Sequence, residues 1–198
     1  MPPLAPLPPL ILASTSPYRR ALLDRLGMHF TVESPGITEA HVAGERPGAR
    51  AERLSRAKAL AVAHRRPQAV VIGSDQVAAS AEHVLDKPAD AATCRAQLAA
   101  LSHSTAHFFT GCAVVSVGTG LDLKHLDTTA VLFRSLSSAE IDRYVTREQP
   151  FDSAGAFKVE ALGITLCERI DSSDPTALIG LPLIWLASAL RQVGYPLP

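Results

Sequence analysis

The sequence is poor in cysteine and has no excess of charge of either sign. Its three cysteines, Cys94, Cys112 and Cys167, are far apart and form no Cys-x-x-Cys pair. An odd number of cysteines, far apart in the sequence, argues against a disulfide framework and predicts reduced, mostly buried thiols. Lysine plus arginine and aspartate plus glutamate both number 19, so the formal net charge is zero. We therefore expect no attraction to nucleic acid or to an anionic membrane, and any phosphate site must be a local cluster of cations.

The sequence also lacks a long uninterrupted apolar run. A membrane helix needs about 20 apolar residues in succession, and no segment has them. The apolar N-terminus contains five prolines and no basic residue, which is unlike a signal peptide. These absences predict a cytoplasmic protein that does not enter a membrane. We divide the chain into a proline-rich extension over residues 1–9 and a single domain over residues 10–198.

Several widespread catalytic signatures are missing as well. The sequence contains no P-loop, no Gly-x-Ser-x-Gly and no Gly-x-Gly-x-x-Gly motif. Its seven histidines show no spacing that suits a metal site. We therefore assign the histidines no role.

Strand and helix patterns alternate along the chain. We predict strands over residues 10–13, 29–33, 69–73, 106–117, 121–133 and 164–170, the fourth and fifth of them joined as a hairpin by Gly118-Thr119-Gly120. We predict helices that begin after Ser16, near Ala49, near Ala89 and after Ser137, and a last one over residues 183–193. Asp174-Pro175 repeats the pattern of a cap followed by proline. Alternation interrupted by one hairpin predicts an α/β fold, a mixed β-sheet with flanking helices.

The first candidate site is the segment Ala13-Ser14-Thr15-Ser16-Pro17-Tyr18-Arg19-Arg20. It places small hydroxyl residues between a strand and a helix N-terminus, where free backbone N–H groups favour an anion. Arg19 adds a guanidinium that suits phosphate. The same segment is equally typical of an ordinary capped helix with solvated arginines.

A second candidate is Asp75, in the segment Gly73-Ser74-Asp75-Gln76. We predict that this carboxylate directly follows a buried strand, where ligands gather in α/β sheets. It could hold a divalent metal or activate water, or it could be a plain turn aspartate.

Two lysines and one loop complete the candidates. Lys58 lies on the second predicted helix, and Lys87 lies in a turn before Pro88. Each lysine alone is typical of a solvated surface. The segment 152–160 contains glycine, lysine and glutamate, and it either lines a ligand or only connects two elements.

In their order along the chain, these segments resemble the Maf family, once described as septum-formation inhibitors. The resemblance covers residues 10–193 nearly completely. It rests on Ser14 to Arg19, Glu39, Arg53-Leu54 with Lys58-Ala59, Gly73-Ser74-Asp75, Lys87-Pro88, Ala154-Gly155, and Asp174-Pro175-Thr176 with Gly180-Leu181-Pro182.

The resemblance implies a fold similar to inosine triphosphate pyrophosphatases, with two lobes around a cleft. It implies a nucleoside triphosphate pyrophosphatase that depends on a divalent cation, Mg²⁺ or Mn²⁺. Asp75 would accept a proton and, with Glu39, hold the metal. Four residues would contact the substrate: Ser14, Arg19, Lys58 and Lys87. The resemblance is also compatible with a homodimer.

Three positions separate subgroups within the family that the sequence resembles. They are Tyr18, Gln76 and Glu160 here, whereas the pyrimidine-hydrolysing subgroup usually has arginine, threonine and glutamine. The resemblance therefore points to 7-methyl-GTP as substrate. Two alternatives stay open: the same chemistry on dTTP or UTP, and a non-enzymatic regulator of cell division.

Overall fold

The computed structural model describes residues 7–81 and 83–198, and within them one mixed sheet organises the chain. Its strands are β1 Leu10–Leu12, β2 Thr31–Val32, β3 Val70–Ser80, β4 His83–Leu85, β5 Thr105–Ser116, β6 Leu121–Phe133 and β7 Cys167–Asp171. They are ordered β2-β1-β3-β5-β6-β7, and β4 pairs with β3. β1 is parallel to both β2 and β3, and the other pairs are antiparallel.

Helices flank this sheet, which confirms the predicted α/β class. They are α1 Pro17–Asp24, α2 Pro47–Arg65, α3 Ala91–Leu101, α4 Ser138–Glu148 and α5 Leu183–Gln192. Short 3₁₀ turns lie at Ala154–Ala156, Leu162–Leu166 and Ala177–Ile179. Both predicted serine caps are confirmed: the Ser16 side chain accepts from the Arg19 backbone, and Ser137 forms a capping box with Glu140. The similarity to inosine triphosphate pyrophosphatases stays a prediction.

The strand that carries Asp75 is longer than predicted. Asp75 does not follow the strand but lies in the middle of β3, paired in register with Gly111 of β5. The strand continues because β5 pairs with it as far as Ala79 and β4 covers its last residues. Its other neighbour, β1, ends at the Leu12–Ile72 pair. Asp75 therefore stands just beyond the end of β1, where the sheet opens on that side.

Two elements near the C-terminus also differ from the predictions. The predicted cap at Asp174-Pro175 forms, because the Asp174 carboxylate accepts from the backbone of Thr176, but no α-helix follows it. The same carboxylate also accepts, across the loop, from the backbone of Ile184. Only the 3₁₀ turn Ala177–Ile179 forms there. The predicted strand over residues 164–170 begins at Cys167, after a 3₁₀ turn.

Two glycines of the sheet allow α2 to lie directly against it. A Cβ atom on Gly73 would meet the Ser55 carbonyl oxygen at 2.3 Å, and one on Gly111 would meet the Ala51 carbonyl oxygen at 2.3 Å. Contacts that close exclude any side chain at either position. The absence of a Cβ atom at both positions brings α2 close enough for Lys58 to reach Asp75.

The last residues of the proline-rich extension are fixed to the domain. Tyr195 Oη donates to the Pro8 carbonyl at 2.8 Å, and the Val70 N–H donates to the Pro9 carbonyl at 2.9 Å. Residues 1–6 lie outside the described residues, so the boundary of the extension stays a prediction. Among the helices of the described chain, none is long and apolar enough to span a bilayer.

Candidate active site

An open cleft lies between α1, α2 and the opened side of β3. It has three adjoining parts that share Arg19 and Lys87, and we name them by their contents. The carboxylate part contains Glu39, Lys58 and Asp75 and measures about 370 Å³. The helix part contains residues 14–19 and measures about 290 Å³. The tyrosine part, which Tyr18, Asp152 and Glu160 help to line, measures about 120 Å³.

The structure brings all the residues proposed from the sequence into this one cleft. They come from separate elements: α1 and the turn before it, the loop before α2, α2 itself, β3, the turn after β4, and the loop before β7. The residues are Ser14, Tyr18, Arg19, Glu39, Lys58, Asp75, Gln76, Lys87 and Glu160.

A buried ion pair forms the centre of the carboxylate part. Lys58 Nζ lies 2.5 Å from Asp75 Oδ1 and 2.6 Å from Glu39 Oε1. Lys58 and Asp75 are buried, whereas the Glu39 side chain is 49% exposed. One ammonium therefore holds two carboxylates together at the wall of the cleft.

The two carboxylates differ in their tendency to hold a proton. Burial raises the pKa of Asp75 above its ordinary value, although Lys58 and Arg19 oppose the shift. Burial acts in the same direction on Glu39, but the hydrogen bond and charge of Lys58 outweigh it, so the pKa of Glu39 is lowered. Asp75 is consequently the better proton acceptor of the two.

The helix part has the geometry that the sequence suggested for an anion site. The N-terminus of α1 opens into it, and the Ser14 hydroxyl accepts from the Ser16 N–H at 3.1 Å. Arg19 Nε donates to the Gly180 carbonyl at 3.0 Å, which fixes the guanidinium between all three parts of the cleft. Burial lowers the pKa of Arg19, against the opposing charges of Asp75 and Glu39.

The segment 174–184 positions Arg19, a role that sequence analysis missed. The Gly180 carbonyl accepts from both Arg19 Nε and, at 2.7 Å, Ser74 Oγ. Gly180 has a φ of 127°, which side-chain-bearing residues rarely adopt. The ends of the segment are tied by Asp174 and by Thr176, whose hydroxyl donates to the Leu181 carbonyl at 2.8 Å. The motif itself was visible, but its hydrogen bonds depend on contacts distant in sequence.

Two further residues hold the Tyr18 side chain, and the sequence did not reveal their role. The Tyr18 hydroxyl donates to Asp152 at 3.1 Å, and Lys158 Nζ lies 2.8 Å from the same carboxylate. Lys158 Nζ is also 5.8 Å from the centre of the Tyr18 ring. The Tyr18 ring is therefore fixed at its hydroxyl and has a cation near one face. The segment 152–160 was singled out, but no pattern indicated this pairing.

Gln76 and Glu160 are used differently from each other. Gln76 Nε2 lies 3.0 Å from the carbonyl oxygens of Ala177 and Leu178, so its amide donors are engaged by the protein. Glu160 is exposed and forms no salt bridge with the described residues. Burial nonetheless raises its pKa, with Lys158 opposing. Glu160 thus offers a ligand two acceptor oxygens, whereas Gln76 offers one and has its donors engaged.

A divalent cation would find two protein ligands here. No group of three or more histidine, cysteine, aspartate or glutamate side chains that suits a metal occurs among residues 7–81 and 83–198. Asp75 and Glu39, however, each place an oxygen within 2.6 Å of Lys58 Nζ, so the two carboxylates lie close together. Magnesium is often bound by one or two carboxylates together with substrate phosphates and water. This pair fits a cation that arrives with its nucleotide.

Comparison with known proteins identifies the family of the chain. The family model described as "Maf-like protein" matches residues 9–193. A protein of Xanthomonas oryzae pv. oryzae named "7-methyl-GTP pyrophosphatase" is 51% identical over 192 residues, which cover 97% of this chain and all of that protein. A protein of Cupriavidus pinatubonensis with the same name is 49% identical over 191 residues, 96% of each chain. One of Alkalilimnicola ehrlichii, again so named, is 48% identical over 98% of each chain.

Proposed function

The chain belongs to the Maf family, and from this premise we propose that it hydrolyses 7-methyl-GTP to the nucleoside monophosphate and pyrophosphate. The observation that carries the proposal is Asp75, a buried carboxylate of raised pKa in a cleft that Arg19, Lys58 and Lys87 also line. A base beside several cations is what attack on a polyphosphate requires. Relatives of nearly the same length carry the name of this activity.

In the proposed reaction, water attacks the α-phosphorus. A new bond forms between the water oxygen and that phosphorus, the bond from the phosphorus to the bridging oxygen breaks, and pyrophosphate leaves with the electron pair. Asp75 accepts the proton from the attacking water. Arg19, Lys58 and Lys87 neutralise charge on the phosphate oxygens, which matters because such reactions depend mainly on positioning and charge.

We further propose that Asp75 and Glu39 hold Mg²⁺ or Mn²⁺ during turnover. The cation would supply additional neutralisation of the triphosphate. Lys58 contributes by keeping the two carboxylates together. It also favours the ionised form of both, which a metal ligand and a base require.

The tyrosine part would bind the base. 7-Methylguanine carries a delocalised positive charge, and a cation over an aromatic face gains roughly 0.5–2 kcal/mol. Tyr18 donates its hydroxyl to Asp152, and this hydrogen bond enriches the ring in electrons. Glu160 would accept from N1–H and the exocyclic amine of guanine, because a carboxylate accepts two such bonds at once. Gln76, whose amide donors are engaged, would shape the pocket and support the turn at Ala177–Ile179.

Release of pyrophosphate from a panel of triphosphates tests the proposal. We expect kcat/KM with Mg²⁺ to be higher for 7-methyl-GTP than for GTP, UTP or dTTP. A preference for UTP or dTTP would instead support the pyrimidine alternative. Products consisting of a diphosphate and free phosphate would exclude the proposed bond cleavage, and no turnover of any triphosphate would favour a non-enzymatic regulator.

We propose a cytoplasmic setting for this activity, with a nucleotide as the ligand and no nucleic acid or membrane as partner. The zero net charge and the three unpaired cysteines support it. A homodimer remains the proposed assembly on family grounds. Sedimentation velocity of the purified protein tests it, and a monomer at all concentrations contradicts it.

A further inference from the structure

One arginine of the carboxylate part has a buried nitrogen without a partner. Arg50, in the first turns of α2, lines the cleft together with Asp75 and Lys58. Its Nε is buried and has no hydrogen-bond partner among the described residues. Its Nη1 donates only to the exposed His41, at 3.2 Å. A buried donor without an acceptor is costly, and native proteins rarely keep one without a use.

The other arginines of α2 make Arg50 an exception. Arg53 pairs with Glu45, Arg56 with Asp122 and Arg65 with Glu33. Each of these guanidinium groups donates to a carboxylate at 3.0 Å or less. Arg50 has no carboxylate partner among residues 7–81 and 83–198, although it faces a cleft where anions are expected. Its guanidinium therefore has hydrogen-bond donors that no carboxylate of the described residues accepts.

The position of Arg50 indicates which part of the nucleotide it would meet. Side chains alternate between the two faces of a strand, so Asp75 and Gln76 point to opposite sides of β3. Asp75 faces α2 and contacts Lys58, whereas Gln76 contacts the turn at Ala177–Ile179, beside the tyrosine part. Arg50 lines the carboxylate part and neither of the other two. Although Gln76 also lines the carboxylate part, Tyr18 and Glu160, the residues proposed to bind the base, do not.

The charges of the carboxylate part show why this cation matters. The cations that line it are Arg19, Arg50, Lys58 and Lys87, and the carboxylates are Glu39, Asp75 and Asp86. Four positive groups therefore face three negative ones. Without Arg50 the two numbers would be equal, and a departing pyrophosphate would meet no excess of positive charge.

We propose that Arg50 is a phosphate-binding residue that holds the pyrophosphate end of the substrate, while Asp75 acts at the α-phosphorus. The inference rests on the proposed function and adds a subsite to it. Binding would require a small rotation of the Arg50 side chain, because Nε is buried. The guanidinium would then donate Nε and one Nη to oxygens of the same phosphate, the paired geometry in which arginine binds phosphate best. The alternative path for the pyrophosphate, along the N-terminus of α1 and past Ser14, leaves Arg50 without contact.

Equilibrium binding of the products tests the subsite without any turnover. Isothermal titration calorimetry would measure binding of inorganic pyrophosphate and of 7-methyl-GMP, each with Mg²⁺, to the wild type and to Arg50→Gln. We expect the variant to bind pyrophosphate about tenfold more weakly or worse, with binding of 7-methyl-GMP unchanged. Arg56→Gln is the matched control, because it makes the same change on the same helix outside the cleft, and we expect wild-type binding of both products.

Two further results separate the possible failures. If Arg50 served only to hold the loop before α2 through His41, then His41→Ala would weaken pyrophosphate binding as much as Arg50→Gln does, and the inference would be overturned. Unchanged pyrophosphate binding in a folded Arg50→Gln protein overturns it as well. Should the wild type bind pyrophosphate through Arg50 yet cleave no triphosphate, the subsite would stand and the proposed function would fail.

Discussion

The carboxylate part and the tyrosine part of the cleft are built in different ways. Lys58 and Asp75 come from α2 and β3, are buried, and are already paired with each other. Asp152 and Glu160 come from the irregular segment between α4 and β7, and both are exposed. Side chains on packed elements keep one geometry, whereas those on loops tolerate exchange. If the proposed function holds, the molecule separates a fixed reaction centre from an adjustable surface for the base.

The largest effect should follow from changing the fixed centre. Asp75→Asn keeps the shape of the side chain but removes the proton acceptor and one metal ligand. We expect turnover to fall about 10²-fold or more, the range for loss of a general base, and to fall equally for every triphosphate. Single-turnover pyrophosphate release measures it. Near-normal turnover would show that Asp75 is not the base.

The stability of the same variant provides the control. Because burial raises the pKa of Asp75, the folded state holds that proton more tightly than the unfolded chain does. Keeping Asp75 ionised therefore costs the wild type stability, and this cost appears as the pH rises through the pKa of Asp75. Asp75→Asn removes this cost but also one partner of the buried Lys58, which keeps Glu39. We therefore expect little change in stability at neutral pH in thermal unfolding. A strongly destabilised variant would mean that the ion pair with Lys58 supports the fold.

Removing phosphate-binding cations should have the next largest effect. Lys58→Ala and Lys87→Ala each remove a charged donor, and a hydrogen bond to a charged group contributes about 1.5–3 kcal/mol, or roughly 10–100-fold in kcat/KM. The loss should be similar for 7-methyl-GTP, GTP and UTP, because a lysine binds charge and not the base. A lysine variant that lost one base and kept another would contradict the separation of the two parts.

The pH profile sharpens this prediction for Lys58. Asp75 must be ionised to accept a proton, so kcat/KM should fall as the pH drops through its pKa. The Lys58 ammonium lowers that pKa and therefore opposes the effect of burial. In Lys58→Met we expect the acid limb to move to higher pH, whereas in Lys87→Met it should stay near the wild-type position. A limb that does not move would show that another group controls the profile.

The difference between the two parts also explains what the sequence could predict. The hairpin from β5 to β6, the caps at Ser16 and Ser137, and the mixed sheet depend on local patterns, and all were predicted. The extension of β3 beyond Gly73 was not, because it depends on pairing with β5, far along the chain. The resemblance brought the site residues together, whereas residue patterns alone left each one ambiguous.

The residues that escaped prediction share a physical reason. Neither Arg50 nor Lys158 was predicted as a site residue, because only their tertiary surroundings make these two cations unusual. Arg50 is distinguished by a buried nitrogen without an acceptor. Lys158 is distinguished by its place between Asp152 and the Tyr18 ring. No local pattern encodes either arrangement.

A smaller and more selective effect is expected in the tyrosine part. Glu160→Gln keeps one acceptor oxygen and replaces the other with a donor, which would oppose a donor of guanine. We expect kcat/KM to fall about tenfold for 7-methyl-GTP and for GTP, and to change little for UTP, while single-turnover rates at saturating 7-methyl-GTP stay close to wild type. An unchanged order of substrates in Glu160→Gln would remove Glu160 from base recognition. A loss shared by all triphosphates would mean that the two parts are not independent.

The smallest effect is expected at Tyr18. It is also the most sensitive test of the difference between the carboxylate part and the tyrosine part. Tyr18→Phe retains the ring but loses the hydroxyl that donates to Asp152, whereas Tyr18→Leu loses the ring itself. Because an exposed cation–π contact contributes about 0.5–1 kcal/mol, we expect Tyr18→Leu to weaken 7-methyl-GTP roughly two- to fivefold relative to GTP. Tyr18→Phe should fall between Tyr18→Leu and the wild type, because its ring is no longer fixed and enriched through Asp152. The measurement is the ratio of kcat/KM for the methylated and unmethylated nucleotides, in which losses of phosphate binding cancel.

A variant of Lys158 tests the same ring from its other neighbour. Lys158 lies near one face of the Tyr18 ring and already uses part of the ring's attraction for cations. Lys158→Met should therefore raise this ratio if Asp152 keeps Tyr18 in place. A ratio that falls in Lys158→Met would show instead that Lys158 is needed to hold Asp152 and, through it, the ring.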